Sequence, residues 1–303
     1  MRTVVIWPRA SAQSGMLHYV VPLIIVVLFG LGGVAWYVSS HADSLTAATD
    51  SGDSVADVES PDSGGGRVPD AQTQLCGARS WKWVDNGWYV LYNDVYNSSD
   101  SECITNANDG ANFKVVKSTT PDYAWNAYPN LFNGCWYNVC SQQGPLPEPV
   151  SKVKSLTEIL TTNYDNVKGV GNDADDFWFS TGLVGDHHPN GAELMIWANW
   201  HGVPTPSSAQ LVNISGRRWW ITEHRTTQNG VSWNYIQLRA YNPGQNDLAR
   251  IPILPIIQYA EGRGWISKSW YATSFNAGYE IVQNGVGNQT TTYRLDFNGI
   301  IGD

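Results

Sequence analysis

The chain has 303 residues and a mass of 33.4 kDa, enough for one large domain or two small ones. Hydrophobic residues make up 42 % of it and charged residues 15 %, which excludes charge-driven disorder for the bulk of the sequence. A net charge of −9 argues against a phosphate-backbone partner, so no nucleic acid is expected.

The charge divides the chain into three pieces. Residues 1–40 carry Arg2 and Arg9 and no acid, for +2; residues 41–74 carry seven acids and Arg67, for −6; residues 75–303 carry 15 basic and 20 acidic side chains, for −5. In the first piece Tyr19 to Val38 is an apolar run broken only by Pro22 and a few glycines. As a helix it would span roughly 30 Å, a full hydrocarbon core. Arg2 and Arg9 would stay in the cytoplasm, and Ser40-His41-Ala42 offers small residues for cleavage after Ala42. Residues 1–42 are therefore expected to be a signal peptide or an uncleaved anchor. Either way the rest is exported, secreted or held outside by residues 19–38, and the membrane is touched through that segment only. Residues 43–74 are rich in Ser, Asp, Gly and Ala and lack aromatics, which reads as a flexible acidic linker.

From Leu75 to Asp303 the pattern is all-β. Asn-Gly or Asp-Gly occurs at 86–87, 109–110, 133–134, 190–191, 229–230, 284–285 and 298–299, each a hairpin signal where alternating segments flank it. The clearest hairpin runs from Trp219-Trp220-Ile221-Thr222 through Asn229-Gly230 to Val231–Tyr241. The 15 Trp and 15 Tyr suit a pleated surface on which an apolar ring and a polar tip are both used. One helix stands out. Pro252 and Pro255 fit its first turn, Ile253, Ile256, Ile257 and Ala260 share a face, and Gly262 is the natural stop. The four cysteines, Cys76, Cys103, Cys135 and Cys140, allow three connectivities, of which Cys76–Cys103 with Cys135–Cys140 is local in sequence. Their spacing holds no Cys-x₂-Cys pair, so no metal site is expected from them. Asp186-His187-His188 lies in a polar loop and is not read as a metal site either.

Three acids lie on strand-like runs. Alternation places Asp176 with Trp178, Glu193 with Met195 and Trp197, and Glu280 with Val282 on one face each. A carboxyl group beside large apolar side chains loses solvation and its pKa rises. Two such carboxyls flanked by indole faces that stack on sugar rings are what glycoside hydrolysis needs. Acids on a solvated sheet face are the plain alternative.

The stretch Tyr128-Pro-Asn-Leu-Phe-Asn-Gly-Cys-Trp-Tyr-Asn-Val-Cys140, with Pro145-Leu146, resembles the Tyr-Pro…Gly-Cys…Cys…Leu-Pro segment of glycoside hydrolase family 12. Glu193-Leu-Met-Ile-Trp197 is similar to that family's nucleophile strand. Trp270-Tyr271, Gly278-Tyr279-Glu280 and Gln283-Asn284-Gly285 resemble its acid/base strand. The resemblance runs from about Cys76 to the C-terminus. It implies a jelly-roll β-sandwich of two curved antiparallel sheets with one helix, acting on β-1,4-linked glucans: cellulose, mixed-linkage glucan or xyloglucan. It makes Glu193 the nucleophile, Glu280 the general acid/base and Asp176 the acid beside the nucleophile, with Cys76–Cys103 and Cys135–Cys140 as disulfides. Glu280 should then rest protonated and Glu193 ionised. Substrate contacts fall on Asn93, Tyr96, Met195, Trp197 and Trp178. Three departures bear on substrate preference: the family's Asn-Asn-x-Trp reads Asn93-Asp94-Val95-Tyr96, Pro-Ile-Gly reads Thr205-Pro206-Ser207-Ser208, and Val282 replaces an aromatic residue. The implied protein is a monomeric retaining endo-glycosidase that uses water and no cofactor. A glycan-binding lectin-like jelly roll and a related jelly-roll xylanase are the alternatives.

Overall fold

Apolar and polar side chains alternate along most of residues 75–303, and each alternating run becomes a strand with one face buried. The computed structural model describes residues 67–69, 72–96, 101–119, 125–162, 169–183, 189–243 and 250–302. The Tyr19–Val38 run, Ala42 and Asp186–His188 lie outside these residues. Among the described residues no helix is long and apolar enough to cross a membrane.

In chain order the strands are β1 (Gln74–Leu75), β2 (Ser80–Val84), β3 (Tyr89–Asn93), β4 (Ser101–Thr105), β5 (Phe113–Thr119), β6 (Asn130–Trp136), β7 (Val139–Cys140), β8 (Glu148–Pro149) and β9 (Leu156–Thr162). There follow β10 (Val170–Ser180), β11 (Ala192–His201), β12 (Gln210–Ile214), β13 (Arg217–Gln228), β14 (Val231–Ala240), β15 (Arg250–Pro252), helix α1 (Ile253–Gly262), β16 (Tyr271–Gln283), β17 (Gln289–Phe297) and β18 (Ile300–Ile301). They form two sheets. The smaller has the order β1-β4-β5-β17-β9-β15, with β18 on β17; the larger has β12-β13-β14-β11-β10-β16-β6-β3-β2, with β7 on β6 and β8 on β16. Neighbouring strands run antiparallel except β11 and β14, which are parallel.

The sheets meet through two apolar clusters. In one, Phe177, Phe179 and Phe275 of the larger sheet meet Leu295 and Phe297 of the smaller. In the other, Leu131, Tyr279 and Ile281 meet Val115, Leu160 and Tyr293. Polar groups also meet inside this core. Tyr293 Oη donates to the Phe275 carbonyl at 2.9 Å across the sheets. Glu158 of β9 and Asp175 of β10 bring their carboxyl groups together with no N–H or O–H donor of the described residues on them. Both acids are buried, at 0 % and 1 % exposure. Burial pushes Glu158 up to about 8 and Asp175 well above the carboxylate range, so the pair holds protons where exposed acids have lost theirs.

The predicted turns divide. Asn229 and Gly230, and Asn298 and Gly299, adopt the paired left-handed dihedrals of a two-residue hairpin, with φ of 49° and 79°, and 55° and 80°. Asn133-Gly134 is not a turn but lies inside β6. Gly134 has φ 100° and passes so close to the Thr273 carbonyl that a Cβ would collide with it. The helix forms where expected and buries Ile253, Ile256, Ile257 and Ala260. Its stop is Gly264 rather than Gly262. Gly264 takes φ 75°, its N–H donates to Glu261, and Trp265 N–H donates to Ala260, the double closure of a left-handed helix end. Ordered contact with the domain also begins before Leu75, because Arg67 bridges to Trp81 and lies over the Trp83 ring at 4.1 Å. The cysteines pair as Cys76–Cys103 and Cys135–Cys140.

Candidate active site

β11, β10 and β16 are neighbours in the larger sheet, and their register decides which side chains meet. Trp178 lies opposite Glu193, Asp176 opposite Met195 and Asn276, and Asn172 opposite Glu280. Leu194, Ile196, Phe177, Phe179 and Phe275 point into the core, as do Tyr279 and Ile281. Alternation therefore turns Glu193, Met195, Trp197, Asp176, Trp178 and Glu280 to the sheet's other face, away from the smaller sheet. The three acids come together there, on three adjacent strands.

Each of the three carboxyls holds one neutral N–H donor. Trp233 Nε1 donates to Glu193 Oε2 at 2.7 Å, Trp178 Nε1 to Asp176 Oδ2 at 2.6 Å, and Asn172 Nδ2 to Glu280 Oε2 at 2.7 Å. Glu193 and Asp176 are buried, at 7 % and 3 % exposure, and Glu280 is half-buried. Burial is the largest influence on each. It raises Glu193 well above the carboxylate range; nearby Asp176 raises it further, while the Trp233 indole pulls it back. Burial raises Asp176 similarly, against the Trp178 indole and with Glu280 adding to the rise. Glu280 is pushed up to about 7, with Asn172 and Arg239 opposing the shift. The expected contrast between Glu193 and Glu280 is therefore not one of direction. Both rise, because the same apolar walls desolvate both.

Those walls are aromatic. Trp178 and Trp233 lie 5.7 Å apart, and Trp197 has Trp125 on it at 5.5 Å and the Arg239 guanidinium at 3.8 Å. Tyr235 Oη donates to Met195 Sδ at 3.4 Å, and Tyr128 Oη donates to the Ala174 carbonyl at 2.9 Å. Further along the face, Trp81 and Trp83 meet edge to face at 5.3 Å and Tyr92 meets Trp136 at 5.6 Å. Tyr96 is 37 % exposed just beyond β3.

Asn93 does not belong to this group. It alternates with Val90 and Tyr92 to the opposite face, is fully buried, and its amide donates to the carbonyls of Gly77 and Glu102. That leaves it a structural residue tying β3 to the chain around the Cys76–Cys103 bridge. Trp233, Asn172, Arg239 and Trp125 escaped the sequence reading. Alternation in the β13–β14 hairpin gives the face of Trp233, but only the parallel pairing of β14 with β11 sets it beside Glu193. Among the described residues no cluster of three or more His, Cys, Asp or Glu side chains is arranged to hold a metal ion.

The family model for glycosyl hydrolase family 12 matches residues 87–298. A probable xyloglucan-specific endo-beta-1,4-glucanase A from Neosartorya fischeri is 30 % identical over 146 residues, 46 % of this chain and 56 % of that protein. Its counterpart from Aspergillus fumigatus is 29 % identical over the same shares. The chain thus covers little more than half the length of these curated relatives. Among solved structures, endoglucanase cel12A from Rhodothermus marinus superposes with a TM-score of 0.66 at 26 % identity, over 75 % of this chain and 99 % of that one. A family 12 xyloglucanase from Bacillus licheniformis superposes with a TM-score of 0.65 at 19 % identity, over 74 % and 99 %.

Proposed function

Because the chain belongs to glycosyl hydrolase family 12, we propose that it is an exported endo-acting glucanase that hydrolyses β-1,4-linked glucans with retention of anomeric configuration. The observation that carries this reading is the meeting of Glu193, Asp176 and Glu280 on one aromatic face, each carboxyl with its own N–H donor. Glu193 attacks the anomeric carbon to give a glucosyl ester. Glu280 protonates the departing glycosidic oxygen, then takes a proton from the water that hydrolyses the ester. A Glu280 raised to about 7 holds the proton it must give at acid and near-neutral pH. Glu193 must be ionised to attack, and the Trp233 indole favours that form. Its neighbour Asp176 then stays protonated, because two carboxylates side by side in a desolvated site repel.

Tyr96, 37 % exposed, offers a stacking face for a glucosyl unit. Trp178 and Trp197, at 4 % and 1 % exposure, instead serve as covered walls of the site rather than as the sugar-stacking faces the sequence suggested. The names of the fungal relatives point to xyloglucan as one polymer to test beside cellulose and mixed-linkage glucan. Proton NMR of the first-formed product tests the mechanism: the β-anomer is expected, and initial release of the α-anomer would remove Glu193 from the role of nucleophile.

A further inference from the structure

The face that carries the three acids changes character beyond β11. Ile236, Leu238 and Ala240 of β14 and Ile221 of β13 are core residues, so Tyr235, Gln237, Arg239, Trp220, Thr222 and His224 share the acid-bearing face. Register continues it to Arg218 and Leu211, since Trp220 pairs with both Arg239 and Leu211. No carboxylate stands on this part of the face among the described residues. It holds two arginines instead.

Arg239 is 6 % exposed. Its guanidinium lies over Trp197 at 3.8 Å, Nε donates to Gln237 Oε1 at 2.7 Å, and one Nη1 hydrogen reaches the Pro204 carbonyl at 2.8 Å. Two of five N–H groups are thereby used, and no carboxylate of the described residues pairs with it. Arg218 lies over the Tyr241 ring at 3.8 Å, and Tyr241 lies against Trp220 at 5.7 Å. Glu280 acts on the Arg239 guanidinium only through space, and a guanidinium taken out of water with no carboxylate hydrogen-bonded to it is an unfavourable arrangement. Ring stacking and two neutral hydrogen bonds fix its plane, and the remaining N–H edge keeps the fork geometry that suits a carboxylate.

Resting on the glucanase reading above, we propose that this end of the face is an acidic-sugar subsite: it binds a carboxylate carried on the β-1,4-glucan chain, such as that of a uronosyl unit. Arg239 takes the carboxylate on its free N–H edge, Trp220 and Tyr241 supply ring faces for the sugar, and Arg218 adds a second positive charge. Burial lowers the Arg239 guanidinium only to about 10, so it is a cation throughout the range in which Glu280 holds its proton.

The test compares kcat/KM on carboxymethyl cellulose and hydroxyethyl cellulose of equal substitution. The wild type should favour the carboxylated polymer by about tenfold, the scale of a charge-assisted hydrogen bond. Arg239→Gln should bring the ratio close to one, and Arg239→Lys should retain part of the preference. In the wild type about 0.5 M sodium chloride should also shrink it, a readout that does not depend on any variant folding. A wild-type ratio at or below one, or a ratio unchanged by both Arg239→Gln and salt, overturns the subsite alone. Hydrolysis of neither polymer, with xyloglucan and mixed-linkage glucan also untouched, overturns the glucanase reading and the subsite with it.

Discussion

β10 presents carboxyl groups to both sides of the larger sheet, and the two sets are kept in different ways. On the aromatic face Asp176 joins Glu193 and Glu280, and each carboxyl has a neutral N–H to itself. Between the sheets Asp175 has the carboxyl of Glu158 as its partner. Burial raises both sets. On the aromatic face an indole or amide hydrogen works against that rise and favours the ionised form, so a proton can leave and return. In the core the partner is another acid, which favours a proton that stays. One strand thus supplies a group suited to exchanging protons and a group suited to retaining them, one residue apart.

The largest effect that tests this contrast is removal of a reacting carboxyl. Glu193→Ala and Glu280→Ala should each lower kcat on polysaccharide by on the order of 10³-fold or more. Their thermal unfolding should stay close to wild type; a collapse of Tm in both would make these acids part of the scaffold. Trp233→Phe keeps an aromatic wall, though a smaller one, and deletes the N–H given to Glu193, so kcat/KM should fall by about 10–100-fold. The acid limb of its pH profile should move upward, since Glu193 then ionises less readily. Asp176→Asn should keep measurable activity while its pH profile shifts, because a neutral amide cannot exchange a proton with Glu193. An unshifted profile would separate Asp176 from the titrating set.

The core pair should act on stability and not on turnover. Glu158 lies raised from its ordinary 4.5 to about 8, so the folded protein retains a proton that the unfolded chain releases over that interval. Its contribution is complete below about pH 4.5 and is lost as the pH climbs towards 8. Wild-type Tm should therefore fall by on the order of 10 °C across that window. Glu158→Gln with Asp175→Asn should flatten the curve. An equally steep curve in the double variant would mean that the pair is not its source.

Much of this was legible in the chain because local rules governed it. Alternation assigned the faces of Asp176, Glu193 and Glu280, since each sits in a long strand whose neighbours fill one core. Asn229-Gly230 and Asn298-Gly299 were legible as turns because both members of each pair adopt left-handed dihedrals. Asn133-Gly134 misled because its glycine answers a different need, the close approach of β6 to Thr273. Asn93 misled because a motif fixes a position along the chain and not the side to which the strand turns it. The donors Trp233 and Asn172, and the Glu158–Asp175 contact, were beyond reach for another reason. They depend on which strands become neighbours or face across the sandwich, and no segment encodes that by itself.

The parallel pairing of β11 with β14 carries a consequence for the order of assembly. β12, β13 and β14 are successive antiparallel neighbours and can form from contacts close in sequence, as hairpins do. The seam between β14 and β11 cannot close by a tight turn; the intervening strands must first swing round as a unit and dock edge to edge. Until that happens Glu193 lacks its N–H donor, because Trp233 travels with the incoming unit. A half-assembled chain carries every reacting residue and still lacks an armed nucleophile, so activity should appear during refolding after the β-sheet signal and in step with burial of Trp233 fluorescence.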